Sequence, residues 1–168
     1  MSADGPWTPF HDIAADLDYP MLIVTAAADG ERAGCLVGFA TQCSIDPVRF
    51  LVWLSRKNHT CGIAMRSAML NVHFASSADR GLAELFGGET GDSIDKFSRC
   101  RWQEGPSGVP VLSDCTRWFA GRVIDHIDAV DGSDHTGFVL EPVDGEVGPW
   151  PGQLRLQEVL DIDPGHEA

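Results

Sequence analysis

The stretch of sequence that decides the fold is VRFLVWLSRKNHT, residues 48–60. Its first seven residues are mostly β-branched, aromatic or aliphatic, and Asp46-Pro47 precedes them, so we expect a largely buried strand. Residues 55–60 are polar and predict a loop, and Thr60 is the expected N-cap of the helix that follows. A strand, a polar loop and a helix start together present free backbone N–H groups, an arrangement that binds anions.

The charge around this loop is opposite in sign to that of the whole chain. The 168 residues include 25 acidic and 12 basic side chains, a formal net charge of −13, and residues 121–168 hold eleven of the acidic ones. Residues 47–78 contain no carboxylate, yet they include four cations, Arg49, Arg56, Lys57 and Arg66. Two interpretations are open. Either these cations pair with the acidic C-terminal part, or they form a small anion site for which phosphate is the expected ligand.

Composition and motifs exclude several classes of protein. The negative net charge disfavours nucleic acid and anionic membrane surfaces as partners. Five cysteines without a C-x-x-C spacing predict reduced thiols, and the apolar runs are too short to span a membrane. Because no basic-then-apolar leader is present, we expect a cytoplasmic protein. The sequence lacks G-x-G-x-x-G, P-loop, G-x-S-x-G and H-E-x-x-H signatures, and we predict no metal site.

The rest of the chain is richer in strand patterns than in helix patterns. Asp29-Gly30 is a hairpin turn signal between the apolar runs 21–25 and 34–40. Leu70, Val72 and Phe74 alternate with other residues, which predicts a half-buried strand. Further strands are expected within residues 115–125, 137–143 and 154–162. This spacing favours an antiparallel barrel over repeated βαβ units.

We predict one domain over residues 1–168, because no internal repeat or linker divides the chain. It would comprise an N-terminal helix at 8–18, a barrel core at 19–145 and a C-terminal strand segment at 150–163.

Seven segments, in order, resemble the flavin reductase-like family of FMN-binding split barrels. They cover roughly residues 19–145 and comprise YPMLIVT (19–25), the run from Gly34 to IDP (45–47), the strand and loop of 48–60, LNV (70–72), DKF (95–97), GVPVL (108–112) and SDH (133–135). The resemblance implies a mainly β protein with a few short helices: an antiparallel, six-stranded Greek-key split barrel of the FMN-binding type. It also implies a homodimer that holds FMN, or FAD, in a groove at the subunit interface.

The same resemblance assigns an activity and a set of residues. Similar proteins transfer hydride from NADH or NADPH to flavin, and many pass the reduced flavin to a partner monooxygenase. Four residues would edge the isoalloxazine ring, namely Thr41, Gln42, Cys43 and Ser44. Four more would hold the phosphate, namely Ser55, Arg56, Asn58 and Thr60. His135 is the expected catalytic residue, close to the flavin and the nicotinamide.

The chain departs from the family pattern at several positions. Leu36, Gly38 and Phe39 stand where small hydroxylated residues are common, and Val48 replaces a second proline. The choice among FMN, FAD and a deazaflavin therefore stays open. So does a second class of function, a non-catalytic protein of the same fold that binds flavin, deazaflavin or haem, since fold alone does not fix function.

Overall fold

The computed structural model describes residues 8–128 and 132–165. Within these ranges the chain forms three α-helices, nine β-strands and four short 3-10 turns. The helices are α1 (Thr8–Ala15), α2 (His59–Ala64) and α3 (Arg80–Gly88). The strands are β1 (Leu22–Ala28), β2 (Glu31–Val37), β3 (Ala40–Ser44), β4 (Arg49–Ser55), β5 (Met69–Phe74), β6 (Trp102–Glu104), β7 (Pro110–Leu112), β8 (Arg117–Asp128) and β9 (His135–Val147). The 3-10 turns are Ser77–Asp79, Lys96–Arg99, Pro106–Gly108 and Leu156–Glu158.

Seven of these strands form one antiparallel sheet in the order β2-β1-β5-β8-β9-β4-β3. The expectation of a mainly β protein with few short helices is confirmed, but the sheet has seven strands where six were predicted. The chain leaves β2 at Gly38 and Phe39, and residues 40–44 then pair with β4 as a separate edge strand. Strands β6 and β7 form a ribbon outside this sheet.

The β1–β2 hairpin follows the sequence prediction. Asp29 and Gly30 have φ angles of 53° and 79°, a pair of left-handed conformations that two-residue hairpin turns require. Strand β1 then places alternate residues, including Leu22 and Val24, in the central apolar cluster of the barrel. Buried residues of α2, among them Ile63, join the same cluster. Helix α2 therefore packs against the interior residues of the sheet.

Strand β5 is buried on both faces, where a half-buried strand was predicted. Its second face lies beneath the β6–β7 ribbon. The Asn71 amide donates hydrogen bonds to the carbonyl oxygens of Val109 (3.0 Å) and Pro110 (3.2 Å), and Thr25 of β1 donates to Pro110 (2.6 Å). Polar residues alternate along β5 because they bind this ribbon.

Both ends of the chain differ from the prediction. Helix α1 ends at Ala15, short of the expected residue 18, and its apolar residues Phe10 and Ile13 are exposed. The expected strand at 150–163 is wrong: this segment has two isolated bridges and the 3-10 turn Leu156–Glu158. Its apolar residues suggested a strand, but Leu154 and Val159 instead pack irregularly into a small cluster beside the barrel. No helix in the described ranges is long and apolar enough to cross a membrane.

Candidate functional site

Two adjoining cavities open beside the break between β2 and β3, and together we call them the cleft. They share Tyr19, Phe39, Trp53 and His135. The outer cavity, of about 520 Å³, extends to Thr41 and to residues 133–134. The inner cavity, of about 300 Å³, extends to Ser55 and Asn58. Phe39, whose side chain is 49% exposed, borders both.

The β4–β9 ladder brings the key residues of the cleft together. Ser55 is the last residue of β4 and His135 the first of β9, and the two pair directly across the ladder. Trp53 pairs with Gly137, where a Cβ atom would lie only 3.0 Å from the indole ring. Because residue 137 is a glycine, the space beside it is open to the Trp53 ring. The backbone N–H of Trp53 also donates to the Phe39 carbonyl oxygen (2.9 Å), which fixes the backbone between β2 and β3.

Neighbouring residues hold the His135 ring through a hydrogen bond at Nδ1 and a contact with Phe39. Its Nδ1 lies 2.6 Å from Oδ1 of Asp134, and its ring centroid lies 5.3 Å from that of Phe39. The hydrogen bond with His135, followed by the charge of its imidazole, lowers the pKa of Asp134 below its ordinary value. Asp134 accepts the proton on Nδ1, so Nε2 is the ring nitrogen left to face a ligand.

The loop before α2 differs in one respect from the prediction. Asn58, and not Thr60, is the N-cap: its backbone is extended, and its side-chain Oδ1 accepts a hydrogen bond from the Thr60 N–H (3.0 Å). Thr60 lies within the helix and its side chain is buried. Asparagine caps helices as well as threonine does, so both positions were compatible with the sequence.

The cations of residues 47–78 are mostly paired. Arg49 lies 3.7 Å from Glu141, and Arg56 lies 3.8 Å from Asp128. Arg66 pairs with carboxylates of the β1–β2 hairpin instead. Pairing with the acidic C-terminal part thus accounts for Arg49 and Arg56, and the charge of Lys57 also acts on Asp134. The Arg56–Asp128 pair is solvent-exposed, and such pairs contribute little, so it leaves Arg56 able to exchange Asp128 for another anion.

The residues predicted to edge a flavin lie on β3, at the free edge of the sheet. Thr41 lines the outer cavity, whereas Gln42, Cys43 and Ser44 line neither part of the cleft. Arg56 and Thr60 also lie outside the cavity walls, so four of the nine predicted residues line the cleft: Thr41, Ser55, Asn58 and His135. In the described part of the chain, no group of three or more metal-ligating side chains is placed to hold an ion.

Three aromatic residues of the cleft were missed as site residues. In the sequence, Phe39 is a departure from the family pattern, Tyr19 is the first residue of a segment that resembles the family, and Trp53 is part of a predicted buried strand. Tyr19 and Phe39 pack edge to face, with ring centroids 5.7 Å apart. These residues are distant in sequence and follow no common period, so the sequence carries no signal that groups them. They meet only in the folded protein, through the break between β2 and β3, the register of β4 and the contact of Tyr19 with Phe39.

Comparison with known proteins gives this cleft a context. A family model described as the flavin reductase like domain matches residues 14–154. The chain belongs to this family. The crystal structure of a flavin reductase domain protein from Arthrobacter sp. FB24 superposes with a TM-score of 0.79 at 21% identity, covering 89% of this chain and 90% of that one. The predicted split-barrel fold is thereby confirmed.

Two curated relatives share more of the sequence. One, from Bradyrhizobium diazoefficiens, is the FMN reductase (NADH) RutF, 28% identical over 119 residues. The match covers 71% of this chain and 66% of that relative, so it leaves about a third of the relative unmatched. Another, from Archaeoglobus fulgidus, is a ferric-chelate reductase (NAD(P)H), 26% identical over 146 residues, which are 86% of this chain and 81% of the relative.

Proposed function

We propose that this protein is an FMN-binding oxidoreductase, an NAD(P)H:flavin reductase that transfers hydride from a nicotinamide nucleotide to flavin. The observation that carries the proposal is the cleft in a member of the flavin reductase-like family, which joins aromatic walls to the loop of residues 55–60. The Bradyrhizobium relative, an FMN reductase (NADH), supports FMN as cofactor and NADH as co-substrate, and the NAD(P)H of the Archaeoglobus relative's name supports NADPH as well. We keep FAD as a second flavin.

The residues of the cleft suit the tricyclic ring of a flavin. Tyr19, Phe39 and Trp53 offer apolar ring faces. Beside them, β3 is an edge strand, and one of its sides carries backbone N–H and C=O groups that β4 does not pair. Residues 41–44 would bind the polar edge of the isoalloxazine through those groups, and Thr41 would add a hydroxyl. Bound FMN supplies the redox chemistry by accepting a hydride.

The phosphate of FMN would occupy the loop before α2. Ser55 and Asn58 line the inner cavity, and Arg56, which lies between them in the sequence, has an exposed carboxylate partner that a phosphate could replace. The Thr60 N–H already donates to Asn58 Oδ1 (3.0 Å), so a phosphate would bind it only by replacing the Asn58 cap. A phosphate that accepts from a guanidinium forms charge-assisted hydrogen bonds, which are stronger than the exposed ion pair they replace.

His135 would orient the nicotinamide at the mouth of the outer cavity. Its hydrogen bond to Asp134 fixes the ring, and Nε2 is left to form a hydrogen bond with the carboxamide of a nicotinamide. A nicotinamide held in this way loses less entropy on reaching the transition state of hydride transfer. His135 would therefore affect the reduction rate more than flavin affinity.

The proposal extends to the oligomeric state and the cellular location of the protein. A homodimer with the flavin groove at its interface would cover Phe39 and the exposed apolar residues of α1. Sedimentation tests this, since an 18.2 kDa monomer at micromolar concentration would contradict it. We further propose a cytoplasmic protein that passes reduced flavin to a partner monooxygenase.

Anaerobic mixing tests the activity directly. The protein with FMN is mixed with NADH or with NADPH, and the visible absorbance of oxidised flavin is followed in time. We expect bleaching at a rate that rises with nucleotide concentration. Tight flavin binding without bleaching by either nucleotide would favour the non-catalytic alternative. A parallel series with a ferric chelate as final acceptor tests the activity after which the archaeal relative is named.

A further inference from the structure

A third cavity lies away from the cleft, where β5 ends, β8 begins and β9 ends. Its volume is about 290 Å³, and it shares no lining residue with either part of the cleft. Its walls are mainly aromatic and are formed by Phe74, Arg117, Trp118, Phe119, Glu146, Val147 and Trp150. We call it the rim cavity.

Two hydrogen bonds between Thr116 and residues 148–149 shape one side of the rim cavity. The Gly148 N–H donates to the Thr116 carbonyl oxygen (2.7 Å), and the Thr116 hydroxyl donates to that of Pro149 (2.5 Å). These bonds hold the segment that carries Trp150 against the start of β8. The indole then lies beneath the Arg117 guanidinium, whose central carbon is 4.5 Å from the ring centroid.

Two groups of this cavity have unused hydrogen-bonding capacity. Arg117 donates from Nε to the Gly148 carbonyl oxygen (3.2 Å), but among the described residues no carboxylate pairs with its guanidinium. The Trp150 Nε1 is buried and has no acceptor in the described ranges. A buried donor without an acceptor is rare in folded proteins. Both groups are donors, so a ligand with acceptor oxygens would complement them.

We propose that the rim cavity binds a small aromatic carboxylate. Its ring would pack against the aromatic walls, where Phe74 and Phe119 already lie with centroids 6.1 Å apart. Its carboxylate would accept from the free N–H groups of Arg117 and approach Trp150 Nε1. Planar, paired acceptors match the fork of a guanidinium. Glu146 also lines the cavity, so its negative charge weakens the binding that Arg117 favours.

Arg32 provides a matched control. Its guanidinium lies 4.6 Å from the Trp102 ring centroid, again with no ion pair within the described residues. However, it borders two cavities whose walls carry several carboxylates: Asp29, Glu31, Asp92, Asp95 and Glu104. The surroundings of Arg32 therefore do not favour an anion, although its stacking geometry is nearly the same.

Calorimetric titration of the protein with benzoate tests the proposal, and benzamide serves as an uncharged probe of similar shape. We expect saturable benzoate binding that R117M weakens about 10- to 100-fold, whereas R32M leaves it unchanged. Benzamide should bind more weakly to the wild type and be insensitive to R117M. If R117M does not fold, E146Q keeps the test: it should strengthen benzoate binding about two- to fivefold.

Three results would overturn the proposal. They are the absence of saturable benzoate binding to the wild type, equal losses in R117M and R32M, and equal affinities for benzoate and benzamide. The absence of saturable benzoate binding is also the result expected if a second copy of the chain covers the cavity. Flavin reduction is measured separately on the same samples, so failure of the rim cavity leaves the proposed reductase activity untouched.

Discussion

Two histidines show how the outer face of the barrel differs from the cleft. His73 on β5 is fully buried: its Nδ1 lies 3.0 Å from the Ile23 carbonyl oxygen, and its Nε2 accepts from the Leu112 N–H (3.0 Å). His135 at the cleft is partly exposed and binds a neighbouring carboxylate through one nitrogen. The same side chain serves the fold where both nitrogens are used. Where one stays available beside a cavity, it is suited to a ligand.

The largest effect is expected from His73→Phe. The substitution leaves the Leu112 N–H buried without its acceptor, at a cost of about 1–3 kcal/mol, and removes a second hydrogen bond, from His73 Nδ1 to the Ile23 carbonyl, worth about 1 kcal/mol. We therefore expect a loss of about 3 kcal/mol in the free energy of unfolding, measured by urea denaturation. His135→Phe should change it by less than about 1 kcal/mol. Similar losses in the two variants would remove the distinction between the two histidines.

The pH dependence of stability should carry the same signature. Burial lowers the pKa of His73 from 6.5 to about 4 in the folded protein. The unfolded chain therefore binds a proton at higher pH, and the folded state loses stability as the pH falls from about 6.5 to about 4. The expected loss is about 3 kcal/mol. His73→Gln should not show this loss. The measurement is the difference in the free energy of unfolding between the wild type and His73→Gln, followed over this pH range. A constant difference would contradict the assignment.

How much of this follows from the sequence depends on how local each feature is. The Asp29-Gly30 turn and the buried strand around Trp53 are set by adjacent residues, and both were predicted. The burial of Asn71 and His73 was not, because it depends on the β6–β7 ribbon, some forty residues further along the chain. Strand β5 shows the limit: its alternation predicted a solvent-facing side that the ribbon in fact covers.

The cleft divides in the same way. Ser55 and Asn58 follow the strand directly, so their place beside the polar loop could be predicted from spacing. The aromatic walls could not, because Tyr19, Phe39 and Trp53 meet through the break in the sheet. The resemblance to a family supplied His135, which spacing alone would have left as a loop residue.

Arg56→Ala tests the cation loop at the inner end of the cleft. If Arg56 binds the phosphate, FMN affinity should fall by about 1.5–3 kcal/mol, while riboflavin affinity stays unchanged. Arg66→Ala is the matched control, since Arg66 lies in the same cationic stretch but pairs with Asp29 and Glu31. Fluorescence titration measures both affinities. Equal losses in the two variants would indicate a general electrostatic effect, and equal wild-type binding of FMN and riboflavin would exclude a phosphate site.

The smallest expected effect, and the most specific, belongs to His135→Ala. The flavin rings would still contact Tyr19, Phe39 and Trp53, so FMN affinity should change little. Loss of one orienting contact should lower the rate of flavin reduction by NADH or NADPH about 10- to 100-fold, measured by anaerobic stopped-flow absorbance. His126→Ala is the control histidine, because His126 packs on Phe138 with centroids 5.1 Å apart and lines neither part of the cleft. A wild-type reduction rate in His135→Ala would contradict the role. Loss of bound FMN with the rate preserved at saturating flavin would instead place His135 on the flavin, because a residue that orients nicotinamide changes the transition state and leaves the ground-state flavin complex intact.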